Sequence, residues 1–395
     1  MQNSFSISLL IINIIKNIQI DGSPPVRGNL EWSVEFNYEG SPNKNDWIQE
    51  IGGHGWGNNE LQYYTDSNSY VSNGKLTITS KREFKEQSQY TSSRLLSKRA
   101  FKYGVIEARA KIPKGRGTWP AFWLLAANRP LNWPLDGEID VLEHVGYDPG
   151  TIHANIHCSK YNHVLGTNLG NTTFVNDIYN DFHTYTVDWN SKRLIFYVDD
   201  VEYFTYYKID SSYERWPFDN PHNIILNTAV GGNWGGAQGV DDSIFPVEFI
   251  VDYVRQYEVN NQNDTGSLIR MKSVFTDLFV SADDRGYAPL IANREQPDYW
   301  ETFKLIRNSD NSVSFLSIAS NLFVSTEDPN WVQPKKRFIA DSEKFQMSKN
   351  PDGSFSFKAN SNGKFIRSKP LPSPHLIADG LSPSYASEFF NIIYL

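Results

Sequence analysis

Sulfur is scarce in this chain. Cys158 is the only cysteine among 395 residues, so no intramolecular disulfide can form and no cysteine-based zinc site exists. Basic charge is also short: 37 Lys and Arg face 45 Asp and Glu, a formal net charge of -8. That balance offers no basic stripe to neutralise phosphates, which argues against a nucleic-acid partner. No apolar run is long enough to span a bilayer, so membrane insertion is not expected. The run Ile7-Ser8-Leu9-Leu10-Ile11-Ile12-Asn13-Ile14-Ile15 has instead the size of a signal-peptide core. Residues 1–24 are therefore expected to be a signal peptide or N-terminal extension of a secreted protein. The sequons Asn171-Thr172-Thr173 and Asn263-Asp264-Thr265 fit export.

Aromatics are plentiful, 14% of the chain with 11 Trp. Their flat faces suit the C–H faces of sugar rings, and they suit a β-rich core equally well. Strand signals dominate from about residue 25 to 259. Lys75-Leu76-Thr77-Ile78-Thr79-Ser80 alternates with period two. Arg193 to Val198 and Val201 to Tyr206 flank Asp199-Asp200, a hairpin turn, and Phe249 to Tyr257 reads as a long closing strand. Strands at this density predict an all-β fold, here a two-sheet sandwich of jelly-roll type. The polar stretch 260–267 predicts a linker.

Residues 268–395 repeat. Leu278-Phe279-Val280-Ser281, Leu322-Phe323-Val324-Ser325 and Lys364-Phe365-Ile366-Arg367 recur at spacings of 44 and 42 residues. Leu290-Ile291-Ala292 reads as returning in Phe338-Ile339-Ala340 and Leu376-Ile377-Ala378. Trp300-Glu301-Thr302-Phe303 returns as Ser342-Glu343-Lys344-Phe345 and Ser387-Glu388-Phe389-Phe390. Three small β-rich copies, none able to bury its own face, predict a closed threefold structure. The arrangement resembles a β-trefoil, and the wording of the copies resembles fascin-like domains.

The chemistry concentrates in Gly137-Glu138-Ile139-Asp140-Val141-Leu142-Glu143. Glu138 and Asp140 share a face by the period-two rule, whereas Glu143 falls on the other face unless a β-bulge returns it. Acids interleaved with apolar residues have no structural purpose on a solvated edge. Paired carboxyls at short range are what glycoside hydrolysis needs: in a retaining mechanism they stand about 5–5.5 Å apart. Five residues of strand cover about 16 Å, so the side chains must lean together across a curved face.

Glu-Ile-Asp-Val-Leu-Glu resembles the bulged E-x-D-x-x-E signature of glycoside hydrolase family 16, the form typical of laminarinases. Gly55-Trp56-Gly57-Asn58-Asn59-Glu60-Leu61-Gln62-Tyr63-Tyr64, Ser92-Ser93-Arg94-Leu95, Gly117-Thr118-Trp119-Pro120-Ala121-Phe122-Trp123 and Gly231-Gly232-Asn233-Trp234 resemble further blocks of that family. The resemblance implies Glu138 as nucleophile, Glu143 as general acid/base and Asp140 as hydrogen-bond partner of the nucleophile. It implies that Trp119, Trp123 and Trp133 flank the cleft on the glycone side, with Trp234 on the far side. It implies sugar contacts for Arg94, Asn59 and Glu60, and a weaker one for Gln62. His157 would run beside the acid/base, reaching the leaving-group side. Some relatives carry a structural calcium ion, for which Glu35, Gly74 and Asp252 occupy matching positions. No organic cofactor is implied. A zinc site on His153, His157 and His163 is rejected, because spacings of four and six do not make a helix pair in a segment that reads as strand and no H-E-x-x-H is present.

The expected activity is retaining endo-hydrolysis of β-1,3-glucan of the laminarin or curdlan kind, extending to mixed linkages, by a monomer. The alternatives are transglycosylation on β-glucan and a non-catalytic glucan-recognition protein. The intact acids argue against the second. The repeat region is expected to bind carbohydrate, or else a protein partner.

Overall fold

The computed structural model describes residues 24–259 and 266–395. The apolar run at the N-terminus, the linker residues 260–265 and the sequon at Asn263 lie outside the described residues. The described residues fall into two compact units, 24–259 and 266–395.

The first unit holds two antiparallel sheets. In one, the order is Val201–Tyr207, Arg193–Val198, His183–Trp189, Gly104–Lys111, Val247–Val259, Lys75–Ser80 and Ser69–Ser72. Arg27–Val34 also pairs with Val247–Val259, so the first and last strands of the unit are neighbours. The other sheet runs Leu169–Phe174, Thr151–His157, Glu138–Glu143, Thr118–Ala126, His222–Val230, Arg94–Phe101 and Trp47–Glu50. A short parallel pair, Gln62–Tyr64 with Tyr90–Ser92, stands apart from both.

Residue patterns explain these layers. Along Lys75–Ser80 the side chains of Leu76, Ile78 and Ser80 are buried and their alternates are partly exposed, as a one-sided strand requires. The turn at Asp199-Asp200 forms with φ of 49° and 64°, the left-handed pair that a two-residue hairpin of matching twist needs. His222–Val230 is buried along its whole length. One of its faces lies in the sandwich core, where Ile224 and Leu226 are 0% exposed. On the other, Ile225 packs with Leu96 and Leu125 against Trp123, Leu131 and Trp133. This strand is thus covered on both faces.

The second unit is also all β, a single sheet of twelve strands. Its threefold order is visible in three hairpins: Phe279–Ser281 with Ile291–Arg294, Leu322–Ser325 with Gln333–Lys336, and Phe365–Ser368 with Leu376–Gly380. Each is followed by a short 3-10 turn, at Tyr299–Glu301, Asp341–Glu343 and Ala386–Glu388. The repeated glutamate has a structural cause. Glu301, Glu343 and Glu388 are buried and accept the backbone N–H groups of Asp298, Ala340 and Tyr385 at 2.7, 2.9 and 3.2 Å.

Backbone hydrogen bonds run from Leu290 N to Val332 O, from Val332 N to Leu376 O, and from Leu376 N back to Leu290 O, each 2.8–3.0 Å. This triangle corrects the second copy of the sequence alignment. The position of Leu290 and Leu376 is taken by Val332, and Phe338 is 45% exposed. Strand Ser267–Ser273 begins one residue inside the predicted linker and pairs with the last strand, Phe390–Tyr394.

Candidate active site

Glu138 opens its strand directly after Gly137, whose φ is +93°. A Cβ there would lie 2.7 Å from Pro217 and 3.1 Å from Phe218, so only glycine lets the chain enter the strand at this angle. Glu138, Asp140 and Glu143 pair with Leu125, Trp123 and Ala121 on one neighbouring strand, and with His157, Asn155 and His153 on the other. Both partner sets step by two residues and therefore face one side. The carboxylate strand spends one more residue over that span, with the register shift between Asp140 and Leu142. This is the bulge, and it aims all three acids at one face.

Two tryptophans fix the outer acids. Trp133 Nε1 donates to Glu138 Oε2 at 2.8 Å, and Trp119 Nε1 donates to Glu143 Oε1 at 3.0 Å. Trp119 meets Trp234 edge to face at 5.4 Å, and Trp234 meets His153 at 4.9 Å. Trp133 instead keeps the company of His157 and His163. Trp119 and Trp133 therefore stand at opposite ends of the acid row, which corrects their expected grouping on one flank. Trp123 lies between: its Nε1 donates to Asn227 Oδ1 at 2.7 Å.

His157 also departs from expectation. Its Nε2 lies 3.3 Å from Asp140 Oδ2 and 3.9 Å from Glu138 Oε1, on the Glu138 side rather than beside Glu143. The cause is register, since His157 is the cross-strand partner of Glu138.

Arg94 is not an open sugar contact. Its Nε donates to Glu50 at 2.5 Å, and its guanidinium lies 4.9 Å from the ring of Trp56 and 4.8 Å from that of Trp123. Only 9% of the residue is exposed. It clamps the cleft wall through cation–π contacts. Asn59 Nδ2 donates to Asn233 Oδ1 at 2.9 Å and ties its loop to the glycine-rich one. Glu60 Oε2 accepts from Gln62 Nε2 at 2.6 Å and Tyr64 Oη at 3.3 Å, and Tyr64 accepts in turn from Asn227 Nδ2. Gly232 (φ +80°) leaves room here, since a Cβ would sit 3.3 Å from Glu60 Cγ and 3.5 Å from the Trp119 ring.

Sequence reading passed over Glu50 and Asn227, and gave Trp56 and Tyr64 no role beyond their block. Glu50 meets Arg94 and Asn227 meets Tyr64 and Trp123 only across the fold, and no local pattern signals those pairs.

Burial, above all, shifts the acids. It pushes Glu138 up to about 8, with the neighbouring Asp140 charge adding to it, and Glu143 up to about 7, with Glu138 and Glu60 adding. Asp140 is driven well above the usual carboxylate range by burial and by Glu143. Three carboxyls this close together and largely shielded from water cannot all ionise at neutral pH. Glu138 and Asp140 are within hydrogen-bond reach, so the pair titrates as a unit.

The expected calcium ligands do not fit an ion. Pairings Val34 with Val254 and Val251 with Leu76 bring Glu35, Asp252 and Gly74 to one end of their sheet. Both Glu35 oxygens are held by Arg255 at 2.8 Å, and Asp252 Oδ2 is held by Arg109 at 2.6 Å. Two guanidiniums already supply the positive charge that a hard cation would bring.

Residues 57–255 match the family model described as glycosyl hydrolases family 16. Residues 260–382 match one described as a domain of unknown function (DUF7910). The chain is similar to a beta-glucanase of Rhodothermus marinus, 42% identical over 270 residues, covering 65% of this chain and 94% of the relative. It is 36% identical over 256 residues to a glucan endo-1,3-beta-glucosidase of Cryptopygus antarcticus, covering 58% of this chain and 92% of the relative. Among solved structures, the laminarinase from Rhodothermus marinus superposes with a TM-score of 0.57 at 44% identity. That match covers 59% of this chain and 98% of the other.

Proposed function

The chain belongs to glycosyl hydrolase family 16, and on that premise we propose that Glu138, Asp140 and Glu143 carry out retaining endo-hydrolysis of β-1,3-glucan. The observation that carries this reading is the bulge, which gives the buried Asp140 and the half-buried Glu138 and Glu143 a common face. Glu138, ionised, attacks the anomeric carbon while Glu143, protonated, gives its proton to the leaving glycosidic oxygen. A glycosyl ester forms at Glu138 and the shortened chain departs. Glu143, now a carboxylate, takes a proton from water as the water attacks the same carbon. The ester breaks, and Glu138 is released with the configuration retained.

With Asp140 charged, Glu138 stands above Glu143, the reverse of the order the reaction needs. When Asp140 instead keeps the pair's proton and donates it toward the nucleophile, that charge is gone and Glu138 is the group free to ionise. Trp133 N–H and the nearby His157 both favour the ionised form of Glu138. On the other acid, the negative Glu60 supports the protonated form of Glu143. Trp119, Trp133 and Trp234 offer ring faces to the polymer.

Laminarin, lichenan, xyloglucan and agarose, assayed for reducing ends beside Glu138→Gln, test this reading. Laminarin should be cut fastest, and the variant should lose at least about 10³-fold in turnover. Equal hydrolysis by variant and wild type would overturn it.

The second unit is read as a β-trefoil of fascin-like type, which the Leu290–Val332–Leu376 triangle supports. Its role is to hold the enzyme on insoluble glucan, raising the local substrate concentration. Retention of the full chain on curdlan, compared with a chain ending at Val259 and with retention on filamentous actin, tests that role. Export to the site of a polymeric substrate belongs to the same reading, and sequencing the N-terminus of the secreted protein tests it.

A further inference from the structure

Glu138, Asp140 and His157 do more than crowd one another. One carboxylate oxygen each of Glu138 and Asp140 and one ring nitrogen of His157 lie within 4.8 Å of one another, the one such group among the described residues. From His157 Nε2, Asp140 Oδ2 and Glu138 Oε1 are 3.3 and 3.9 Å away. Two ligands of one zinc ion, each bonded at about 2.0–2.2 Å, stand roughly 3–3.5 Å apart. The set is thus nearly closed around a position that a small ion can take.

Asp140 is 2% exposed and its Oδ2 makes no hydrogen bond, although it points into the cluster with His157 Nε2 3.3 Å away. Trp133 holds Glu138 by Oε2, which leaves Oε1 for the cluster. One imidazole and two carboxylates form a donor set for a borderline divalent ion rather than for calcium or magnesium. The zinc reading rejected in the sequence concerned three histidines, and only one of them takes part here.

We infer that Glu138, Asp140 and His157 form an inhibitory binding site for a borderline transition-metal ion, Zn2+ or Cu2+. The ion would bond to Glu138 Oε1, Asp140 Oδ2 and the lone pair of His157 Nε2, displacing the proton that the acid pair holds. It would occupy the nucleophile. Metal and glucan would therefore exclude each other. The inhibitory part rests on the role proposed for Glu138; the binding part does not.

The experiment is titration of the full chain with ZnCl2, followed by calorimetry and melting temperature, beside laminarin turnover. One zinc per chain should bind and raise the melting temperature, and EDTA should reverse both binding and inhibition. His157→Gln should weaken zinc binding beyond the ~10–100-fold that losing an outer-shell partner costs. Equal affinity in wild type and His157→Gln would overturn the site, as would absence of binding to wild type. Zinc K-edge absorption of the wild type needs no variant. A single imidazole among oxygen neighbours supports the assignment, and two or more imidazoles overturn the proposed ligand set, since the His163 ring lies 5.1 Å from that of His157. Zinc bound through one imidazole with laminarin turnover unchanged leaves the metal site standing and sinks the role of Glu138.

Discussion

Glu143 and Glu138 gain reactivity from surroundings that do not suit their charge, and that has a sign. A carboxyl raised in the fold contributes stability below its unfolded value and loses it as pH rises through its folded value. The window runs from 4.5 to about 7 for Glu143 and from 4.5 to about 8 for Glu138. Glu143→Gln should therefore melt like the wild type near pH 4 and be more stable by about 1–3 kcal/mol near pH 8, although inactive. Thermal melts at the two pH values check this, and coincident melts at the higher pH would show that the carboxyl is hydrated. Glu60 raises Glu143 by its charge. In Glu60→Gln the acid should deprotonate earlier, moving the basic limb of kcat/KM down by about half to one pH unit. A limb that stays in place removes Glu60 from the proton balance. Trp133→Phe keeps an aromatic ring and deletes the N–H that holds Glu138; kcat should fall by about 10-fold or more, with a smaller change in KM.

The bulge is the element on which the site depends, and it can be edited. Removing Val141 leaves a regular strand in which Glu138, Asp140 and the final glutamate still alternate to one face. Inserting one alanine between Leu142 and Glu143 sends that glutamate to the core face. Measurable laminarin turnover is expected from the deletion and none from the insertion; the reverse order would refute the register argument. The common face of Glu138 and Asp140 was legible in the sequence because strand alternation is local. The bulge and the tryptophans came from the family resemblance, which grouped on one flank the Trp119 and Trp133 that hold opposite ends of the acid row. Arg94 was not. Its partners Glu50, Trp56 and Trp123 come from three separate stretches, and only folding brings them together. The same holds for His157, whose side of the cleft is set by its register with Glu138. Likewise, Arg255 and Arg109 take up Glu35 and Asp252, so matching positions do not make a cation site. In the repeat region the similar wording of Leu290 and Phe338 misled, because the triangle selects position through backbone groups, to which Val332 contributes as well as any residue.

For the molecule as a whole, each unit is sealed by its own two ends. Arg27–Val34 lies against Val247–Val259 in the first, and Ser267–Ser273 lies against Phe390–Tyr394 in the second. Deleting residues 390–395 should expose the second unit to protease while laminarin turnover persists, as mass spectrometry of the fragments and an activity assay would show. Loss of both together would mean that the units are not independent in stability. Such closure also imposes an order on synthesis. A nascent chain emerging from the ribosome carries an open sandwich until its thirteen-residue closing strand is translated. The first strand of the repeat unit pairs early with Thr302–Arg307 but waits for codons 390–394 before its other edge is covered, so a stop just before them costs that unit its closing seam.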